Sequence, residues 1–309
     1  MKRIVRIGLS LFMTAGLAFG WGSEGHMIVA ELAYQKLLPA VKTKIAALLK
    51  LNPNYPDWIN GVAAADQAET AFLIAATWPD KIKSMKGYSN DGEHPKAGGT
   101  AGRNIGYTDK LQHRYWHFYD TPISADGTPA AQPASPNAQT QIALFRSFLA
   151  VATNDQGIRS YDLVWLIHVV GDVHQPLHAA SRFDKAQPDG DEGGNDVSIC
   201  ITASSCSGEL HGYWDDIPGT SSVVAAVKTK AAKIPAADAT KAKVSDEKTW
   251  IADSAQLAQT VVYKNPPIAI GSGPYTLTAA YKTAAAQLAD QQLALAGARL
   301  ANLLNDALK

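Results

Sequence analysis

The sequence predicts a mainly α-helical, single-domain protein, a helical bundle with long loops. Ala and Leu recur at three- and four-residue steps through most of the 309-residue chain, as expected of helices that bury one face. Strand-like alternation is scarce, and neither an internal repeat nor an inter-domain linker interrupts the pattern. Segments rich in Gly, Pro, Asp and Ser separate the helical regions. These observations favour helices packed on helices.

The periodic segments predict seven helical regions in order along the chain. They cover 24–50 with a break near Pro39, 64–84, 139–152, 161–173, 221–233, 245–263 and 275–308. Long loops are predicted at 85–111, 124–136 and 183–207. Loops of this length in a compact domain are usually functional or disordered, so site residues are expected at loop and helix edges.

Residues 1–20 are typical of a secretory signal peptide. A basic start and an apolar run lead to the small residues Ala18 and Gly20. Cleavage after Gly20 would make Trp21 the new amino terminus and 21–309 the mature domain. No other apolar stretch approaches the roughly 20 residues that a membrane-spanning helix needs. We therefore expect a secreted or periplasmic protein without stable membrane association.

Charge and cysteine content narrow the function further. Lys and Arg total 28, as do Asp and Glu, and this balance argues against tight, nonspecific binding of duplex nucleic acid. Bound metal ions would change the local sign, because the count omits their charge. The only two cysteines, Cys200 and Cys206, lie in one polar loop. In an exported protein this spacing indicates a short-loop disulfide.

Histidine is the informative residue type, and the chain has eight. In the densest segment, His168 and Asp172 are four residues apart, so on a helix they share one face and can bind one metal. Pro176 cannot continue that helix, so His178 is expected just beyond its end, turned toward a different metal. His174 points away from the His168 face and is interpreted as a structural histidine.

Further motifs also place imidazoles near carboxylates. They are the pair His211 and Asp215, the cluster of His113, His117 and Asp120, and Asp80 after a Trp-Pro pair that should end or bend a helix. One such pair arises readily by chance, but several in one chain indicate a metal centre. Imidazole and carboxylate without thiolate suit a catalytic zinc, and they also accommodate manganese. Calcium would want more oxygen ligands.

The order of these motifs resembles that of the single-strand-specific zinc nucleases and 3'-nucleotidases of fungi and plants, the nuclease S-one and nuclease P-one family, with bacterial relatives. The resemblance extends over the whole mature chain. Its elements are Trp21 with His26, Trp-Pro-Asp80, Trp-His117-Phe-Tyr-Asp120, His168-x-x-x-Asp172-x-His-Gln-Pro-Leu-His178, Gly193-Gly194-Asn195 and Leu-His211-x-x-Trp-Asp215. It implies a fold of the phospholipase C and nuclease P-one type.

The resemblance also implies a cofactor, three Zn²⁺ ions. One would be bound by Asp80, His117, His168 and Asp172, and a second by His178, His211 and Asp215. The third would take the amino group and carbonyl of Trp21 together with His26, sharing Asp172 as the bridging carboxylate.

An activity follows from the same resemblance. It implies an endonuclease that hydrolyses single-stranded DNA and RNA to 5'-phosphate products, acts on nucleotides as a 3'-nucleotidase, and is a monomer. The metals bridged by Asp172 would activate water for attack on phosphorus. Phe118 would stack on a nucleobase, Asp120 would accept a hydrogen bond from it, and Asn195 would contact the phosphate.

The sequence departs from the family pattern in two respects, and two alternative functions compete with the one that the resemblance implies. The lysine that fungal members carry shortly after the Asp120 position is absent, which leaves the substrate range open, and the two cysteines do not reproduce the wider fungal disulfide pattern. A zinc-dependent phospholipase C resembles this family in fold and metal centre, but those enzymes carry glutamate at the position of Asp215. The other alternative is a secreted zinc-binding protein without turnover, which would hold stoichiometric zinc and hydrolyse nothing.

Overall fold

Helices dominate residues 20–96 and 100–309, the part of the chain that the computed structural model describes. The helices are α1 (Ser23–Tyr34), α2 (Pro39–Leu49), α3 (Tyr55–Trp58), α4 (Gln67–Ala75), α5 (Trp78–Lys81), α6 (Ala138–Ala150), α7 (Gln156–Asp172), α8 (Leu210–Asp216), α9 (Val224–Ala231), α10 (Ala239–Ala242), α11 (Glu247–Leu257) and α12 (Ala279–Ala307). The short strands are β1 (Thr121–Ser124), β2 (Ala180–Phe183), β3 (Ser198–Cys200), β4 (Gly208–Glu209) and β5 (Tyr275–Thr276). The prediction of a mainly α, single-domain fold is confirmed. The signal peptide predicted at 1–20 lies outside the described residues, apart from Gly20.

Helix α7 forms the centre of the molecule. It begins where the Asp155 carboxylate accepts a hydrogen bond from the Ile158 backbone N–H at 2.9 Å, a standard N-cap. Every residue from 159 to 172 is buried, because α1, α2, α4, α5, α6 and α12 pack around this helix. A helix that is covered on all sides has no polar face. Its last turn therefore carries His168 and Asp172 into the protein interior.

The predicted helix 64–84 is interrupted, which is a correction to the sequence pattern. Helix α4 ends at Ala75, and α5 begins at Trp78. Pro79 has no N–H to continue a hydrogen-bond ladder, and the Thr77 hydroxyl donates to the Ile74 carbonyl at 2.9 Å instead. The break lets the short helix α5 pack against α7. Asp80 on α5 thereby reaches the end of the central helix.

The last predicted helix begins later than 275. Tyr275 and Thr276 form β5, which pairs in parallel with β3 at Ile199 and Cys200. Helix α12 starts only after Thr278, whose hydroxyl accepts the Tyr281 N–H at 3.1 Å. Helical periodicity could not reveal this start, because a two-residue strand leaves no pattern in the sequence. The other predicted helical regions agree with the structure to within a few residues.

Two small sheets position the loops around the end of α7. Strands β1 and β2 pair in parallel, with Thr121 opposite Ala180, and the Tyr119 N–H donates to the His178 carbonyl at 2.8 Å. His117 precedes β1 and His178 precedes β2, so this pairing brings the two imidazoles together. In the second sheet, of order β4-β3-β5, strand β4 leads directly into α8.

The disulfide predicted between Cys200 and Cys206 is present and closes a local loop at the end of β3. None of the helices among the described residues is long and apolar enough to cross a membrane.

Candidate metal centre

The first group of candidate ligands surrounds Asp172, which is fully buried. His168 Nε2 lies 3.1 Å from Asp172 Oδ2, and His117 Nδ1 lies 3.0 Å from the same oxygen. The two imidazole nitrogens are 2.9 Å apart. Asp80 Oδ1 lies 3.7 Å from His168 Nε2 and 3.8 Å from His117 Nδ1. The ring of His168 is held in place by a hydrogen bond from its Nδ1 to the Ala76 carbonyl at 2.7 Å.

The second group consists of His178, His211 and Asp215, all buried. The Nε2 atoms of the two histidines are 3.0 Å apart, and Asp215 Oδ2 lies 3.4 Å from His211 Nε2. Each imidazole donates its Nδ1 proton to a backbone carbonyl at 2.8 Å, His178 to His117 and His211 to Gly193. These bonds fix the tautomer and leave the Nε2 lone pairs facing the group.

The third group lies where the chain enters α1. His26 is fully buried, with Nε2 3.3 Å from Asp172 Oδ1 and 3.9 Å from Asp80 Oδ2. Its ring stacks on His168 with centroids 3.8 Å apart. A Cβ added to Gly20 would lie 1.6 Å from Asp172 Oδ1 and 2.8 Å from His26 Nε2. The backbone immediately before Trp21 therefore touches both residues.

The donor atoms fit bound cations better than a network of hydrogen bonds. Among the described residues, both ring nitrogens of His26, His117 Nε2 and Asp172 Oδ1 are buried without a hydrogen-bond partner. Unpartnered buried polar atoms are costly and call for an explanation such as an ion. Two imidazole nitrogens and one carboxylate oxygen also lie within 4.8 Å of one another in each of three sets. The sets are His26, His168 and Asp80; His117, His168 and Asp172; and His178, His211 and Asp215. Imidazole and carboxylate in this arrangement are the donors of catalytic zinc sites.

The protonation states of His117 and His26 agree with metal binding. Burial, together with the nearby Lys83 ammonium, lowers the pKa of His117 to about 3, and burial and the neighbouring His168 lower the pKa of His26. Both imidazoles are therefore neutral at physiological pH, which is the form that binds metal. Burial raises the pKa of Asp215 well above its ordinary value, and a cation bound nearby would favour the ionised carboxylate.

A narrow cleft opens beside the second group. Its walls are formed by Glu93, His94, Arg114, His117, Phe118, Asp120, Leu177, His178, Glu192, Gly193, Asn195 and His211. The predicted substrate residues Phe118, Asp120 and Asn195 thus lie together with three candidate ligands. Burial and the nearby Asp191 and Glu192 raise the pKa of Asp120 to about 7. Asn195 Nδ2 donates to the Glu192 carbonyl at 2.7 Å.

Two histidines from the predicted clusters lie outside the centre. His113 bridges two carboxylates, with Nε2 2.9 Å from Asp109 Oδ2 and Nδ1 3.3 Å from Asp91 Oδ2, and stacks on Trp116 at 3.6 Å. His174 donates from Nδ1 to the Val170 carbonyl at 2.7 Å, and its Nε2 lies 3.0 Å from Arg299. Its interpretation as a structural histidine is consistent with these contacts.

The structure adds two residues that the sequence did not suggest. Lys83 is buried, with Nζ 2.8 Å from Asp80 Oδ1. Gln175 is buried, and its Nε2 donates to Asp215 Oδ1 at 2.8 Å while its Oε1 accepts the Leu177 N–H. Lys83 lies three residues after Asp80, and this spacing was the only indication in the sequence that the two side chains pair. Gln175 was visible within the His-Gln-Pro-Leu-His motif, but only its distant partner Asp215 reveals a role.

The fold and the site together define a class of protein: a mainly helical protein with a buried histidine–aspartate candidate metal centre at the end of its central helix. The model of the S1/P1 nuclease family matches residues 21–309. The chain therefore belongs to the S1/P1 nuclease family.

Curated relatives match at low identity. The chain is 25% identical over 207 residues to Endonuclease 3 of Arabidopsis thaliana, with 65% of this chain and 55% of the relative covered. It is 24% identical over 196 residues to Endonuclease 2 of the same plant, with coverage of 63% and 55%. Nuclease S1 of Aspergillus oryzae is 22% identical over 220 residues, with coverage of 70% and 60%. The chain thus spans little more than half the length of these relatives.

Proposed function

We propose that this protein is a secreted, zinc-dependent endonuclease that hydrolyses single-stranded DNA and RNA to products with 5'-phosphate ends and also acts as a 3'-nucleotidase. The observation that carries the proposal is the interlocked set of histidines and aspartates around Asp172, beside a cleft lined by Phe118. Membership of the S1/P1 nuclease family supports nucleic acid as the substrate. The nuclease names of the curated relatives point the same way.

The cofactor in this proposal is three Zn²⁺ ions. Asp80, His117, His168 and Asp172 would bind the first, and His178, His211 and Asp215 the second. The third would be bound by His26, by Asp172 and by the amino group and carbonyl of Trp21.

A free amino group at Trp21 requires cleavage after Gly20. The contact of Gly20 with Asp172 and His26 supports this assignment, because a new amino terminus at Trp21 would arise next to both side chains. The family match also begins at Trp21.

When bound, the metal ions would supply positive charge that polarises the phosphoryl group and acidifies a water molecule. The chain's own residues position the substrate. Phe118 offers an aromatic surface for a base that is free of its neighbours, as in a single strand. Asp120 accepts a hydrogen bond from the base edge. Asn195 donates a hydrogen bond from one side-chain amide N–H to the Glu192 carbonyl, and its second amide N–H can donate to a phosphate oxygen.

The test is an assay of the mature protein. We would confirm Trp21 as the amino terminus by mass spectrometry and measure hydrolysis of single-stranded DNA, RNA, a 3'-mononucleotide and a phosphatidylcholine analogue, with zinc and after chelation. Asp172→Asn should lower kcat on nucleic acid by about 1,000-fold or more, because one carboxylate serves two of the groups. Asp306→Asn, at an exposed position far along α12, is the matched control.

Each result has a distinct meaning. Zinc-reversible cleavage of single strands to 5'-phosphate ends would support the proposal. Cleavage of the phospholipid alone would reassign the protein to the phospholipase branch. Three bound zinc ions without hydrolysis of any substrate would leave a metal-binding protein and overturn the proposed activity.

A further inference from the structure

A second, wider groove borders the metal centre on the Asp80 side. It has a volume of about 660 Å³ and shares none of its lining residues with the cleft beside Phe118. Its walls come from α1, α3, α4 and α5 and from the turn after α5. The lining residues that the argument uses are Met27, Trp58, Trp78, Asp80, Lys81 and Ser84. Asp80 is the only candidate metal ligand among them.

The lining of this groove has two chemical parts. Its apolar part includes Met27, Trp58 and Trp78, which are almost fully buried beneath the groove. Its exposed part includes the hydroxyls of Ser84 and Ser222, the carboxylate of Asp57 and the ammonium of Lys81. Within the described ranges, Lys81 forms no ion pair and donates no side-chain hydrogen bond. Apolar surface beside hydroxyl and ammonium donors suits a nucleotide, which presents a sugar and base next to a phosphate.

The position of the cleft indicates which nucleotide the groove would bind. In the proposed reaction, the ion bound by His178 and His211 would neutralise the departing 3'-oxygen. The nucleoside that keeps this oxygen would therefore lie in the cleft that both histidines line. A polynucleotide continues beyond the scissile phosphate, and its next nucleotide needs a surface on the other side of the metals. The groove reaches the centre at Asp80, which lies 3.7 Å from His168 and thus borders the first group.

We propose that the groove of Trp58, Lys81 and Ser84 binds the nucleotide on the 3' side of the scissile phosphate, the one that leaves with the 5'-phosphate. This inference rests on the proposed function. A 3'-mononucleotide has no residue on that side, whereas a dinucleotide or a longer strand does. The groove is therefore a specificity site for polymers over mononucleotides, and Lys81 is its phosphate-binding cation.

The test compares two substrates in one enzyme. We would measure kcat/KM for a short single-stranded oligonucleotide, in which a further phosphate follows the nucleotide on the 3' side, and for the matching 3'-mononucleotide, and take their ratio. Lys81→Glu should lower this ratio about ten-fold, because an attractive contact to phosphate becomes repulsive. Lys81→Ala should lower it less, and should reduce the slope of log KM against log salt for a single-stranded oligonucleotide by about 0.7, the value of one lost phosphate contact. Lys81 is exposed, so both variants are expected to fold.

Lys248→Glu is the charge-matched control, because Lys248 is exposed on α11 and does not line the groove. It should leave the ratio and the salt slope as in the wild type. A wild-type enzyme that hydrolyses both substrates, with a ratio unchanged by Lys81→Glu, would overturn the groove assignment and leave the proposed function intact. A wild-type protein that hydrolyses neither substrate would overturn the proposed function, and the groove assignment with it.

Discussion

At the scale of single residues, the candidate centre depends on side chains and carbonyls that orient its candidate ligands. His168, His178 and His211 each donate Nδ1 to a backbone carbonyl, so their Nε2 atoms are fixed before any ion binds. Among the described residues, the side chain of Asp215 has no such backbone partner, and Gln175 donates a hydrogen bond to its Oδ1 instead. Groups that orient ligands in this way typically change metal affinity by one to two orders of magnitude.

Gln175→Leu should therefore weaken zinc binding at the second group by about 10-fold to 100-fold. The variant removes the donor to Asp215 Oδ1 and leaves that oxygen buried and unpaired. Competition with a chromogenic chelator would measure the affinity of each site. Ser147→Ala, on the exposed side of α6, is the control. Unchanged zinc affinity in Gln175→Leu would show that Asp215 is held in place without the glutamine.

Asp162 provides a second prediction at this scale, independent of metal. Burial raises the pKa of its carboxyl to about 8. Asn104 Nδ2 donates to Asp162 Oδ2 at 2.9 Å, and Asp162 Oδ1 and Asn104 Oδ1 are buried without partners among the described residues. Because the folded pKa is raised above the ordinary 3.8 of an acid, the folded state binds the extra proton. Stability should fall as the pH rises from about 4 to 8.

Asp162→Asn removes this charge while keeping the shape. We expect it to raise Tm by about 5 °C at pH 8.5 and to change Tm little at pH 5, where Asp162 is already neutral in the folded protein. Thermal unfolding of both proteins at the two pH values would measure the effect. An equal shift at both pH values would mean that packing, and not ionisation, is responsible.

At the scale of elements, a cluster of charged side chains around His113 holds the end of the loop that precedes the candidate ligand His117. The Asp91 carboxylate accepts the His113 backbone N–H and the Tyr115 hydroxyl, at 2.8 and 2.6 Å. His113 has a positive φ of 47°. Its pKa, although lowered by burial, is raised overall by hydrogen bonds to Asp109 and Asp91. The loop is thus held by the imidazole of His113 between two carboxylates, which favour its protonated form, four residues before the candidate ligand His117.

His113→Asn should loosen this loop, since asparagine tolerates positive φ but carries no charge. We expect faster proteolytic cleavage within residues 85–111, with helices α7 and α12 still protected. In the wild type, the raised pKa of His113 means that the clamp is complete below pH 6.5 and weakens as the pH rises through the folded value. Cleavage should accelerate with pH in the wild type and respond less to pH in the variant. An equal pH dependence of cleavage in the wild type and the variant would exclude His113 as the residue that holds the loop in place.

The elements that sequence analysis predicted well are those whose signal is local. Helices such as α6 and α7 follow from periodicity, and the pair Trp78-Pro79 predicted that a helix ends or bends before Asp80. The two small sheets could not be predicted, because strands of two to four residues have no pattern of their own and exist only through partners far along the chain. For the same reason the Lys83–Asp80 pair and the contact of Gln175 with Asp215 needed the structure. The ligand grouping came from the family resemblance, and the geometry adds which nitrogen of each histidine faces inward.

At the scale of the whole molecule, the candidate centre concentrates charge in the interior. Asp172 and Asp215 are buried together with the five imidazoles of the candidate ligands, and each lone carboxylate is costly to bury without a cation. Removing metal with a chelator should therefore lower Tm by about 10 °C or more, and adding zinc back should restore it, because an ion that binds only the folded state stabilises it by mass action. Differential scanning calorimetry at fixed protein concentration would measure the shift. A Tm that the chelator leaves unchanged would mean that the buried carboxylate charges are balanced without metal.

The parallel pairing of β1 with β2 also sets an order of events in folding. His117 and His178 meet only when Thr121 pairs with Ala180, and helices α6 and α7 lie in the chain between them. Contacts between residues far apart in the sequence form late, because closing the loop costs conformational entropy before the contact contributes favourable free energy. The protein should thus acquire helical circular dichroism before it captures zinc during refolding from denaturant. Stopped-flow traces with a zinc indicator would reveal this lag, and simultaneous signals would mean that the ion itself nucleates the fold.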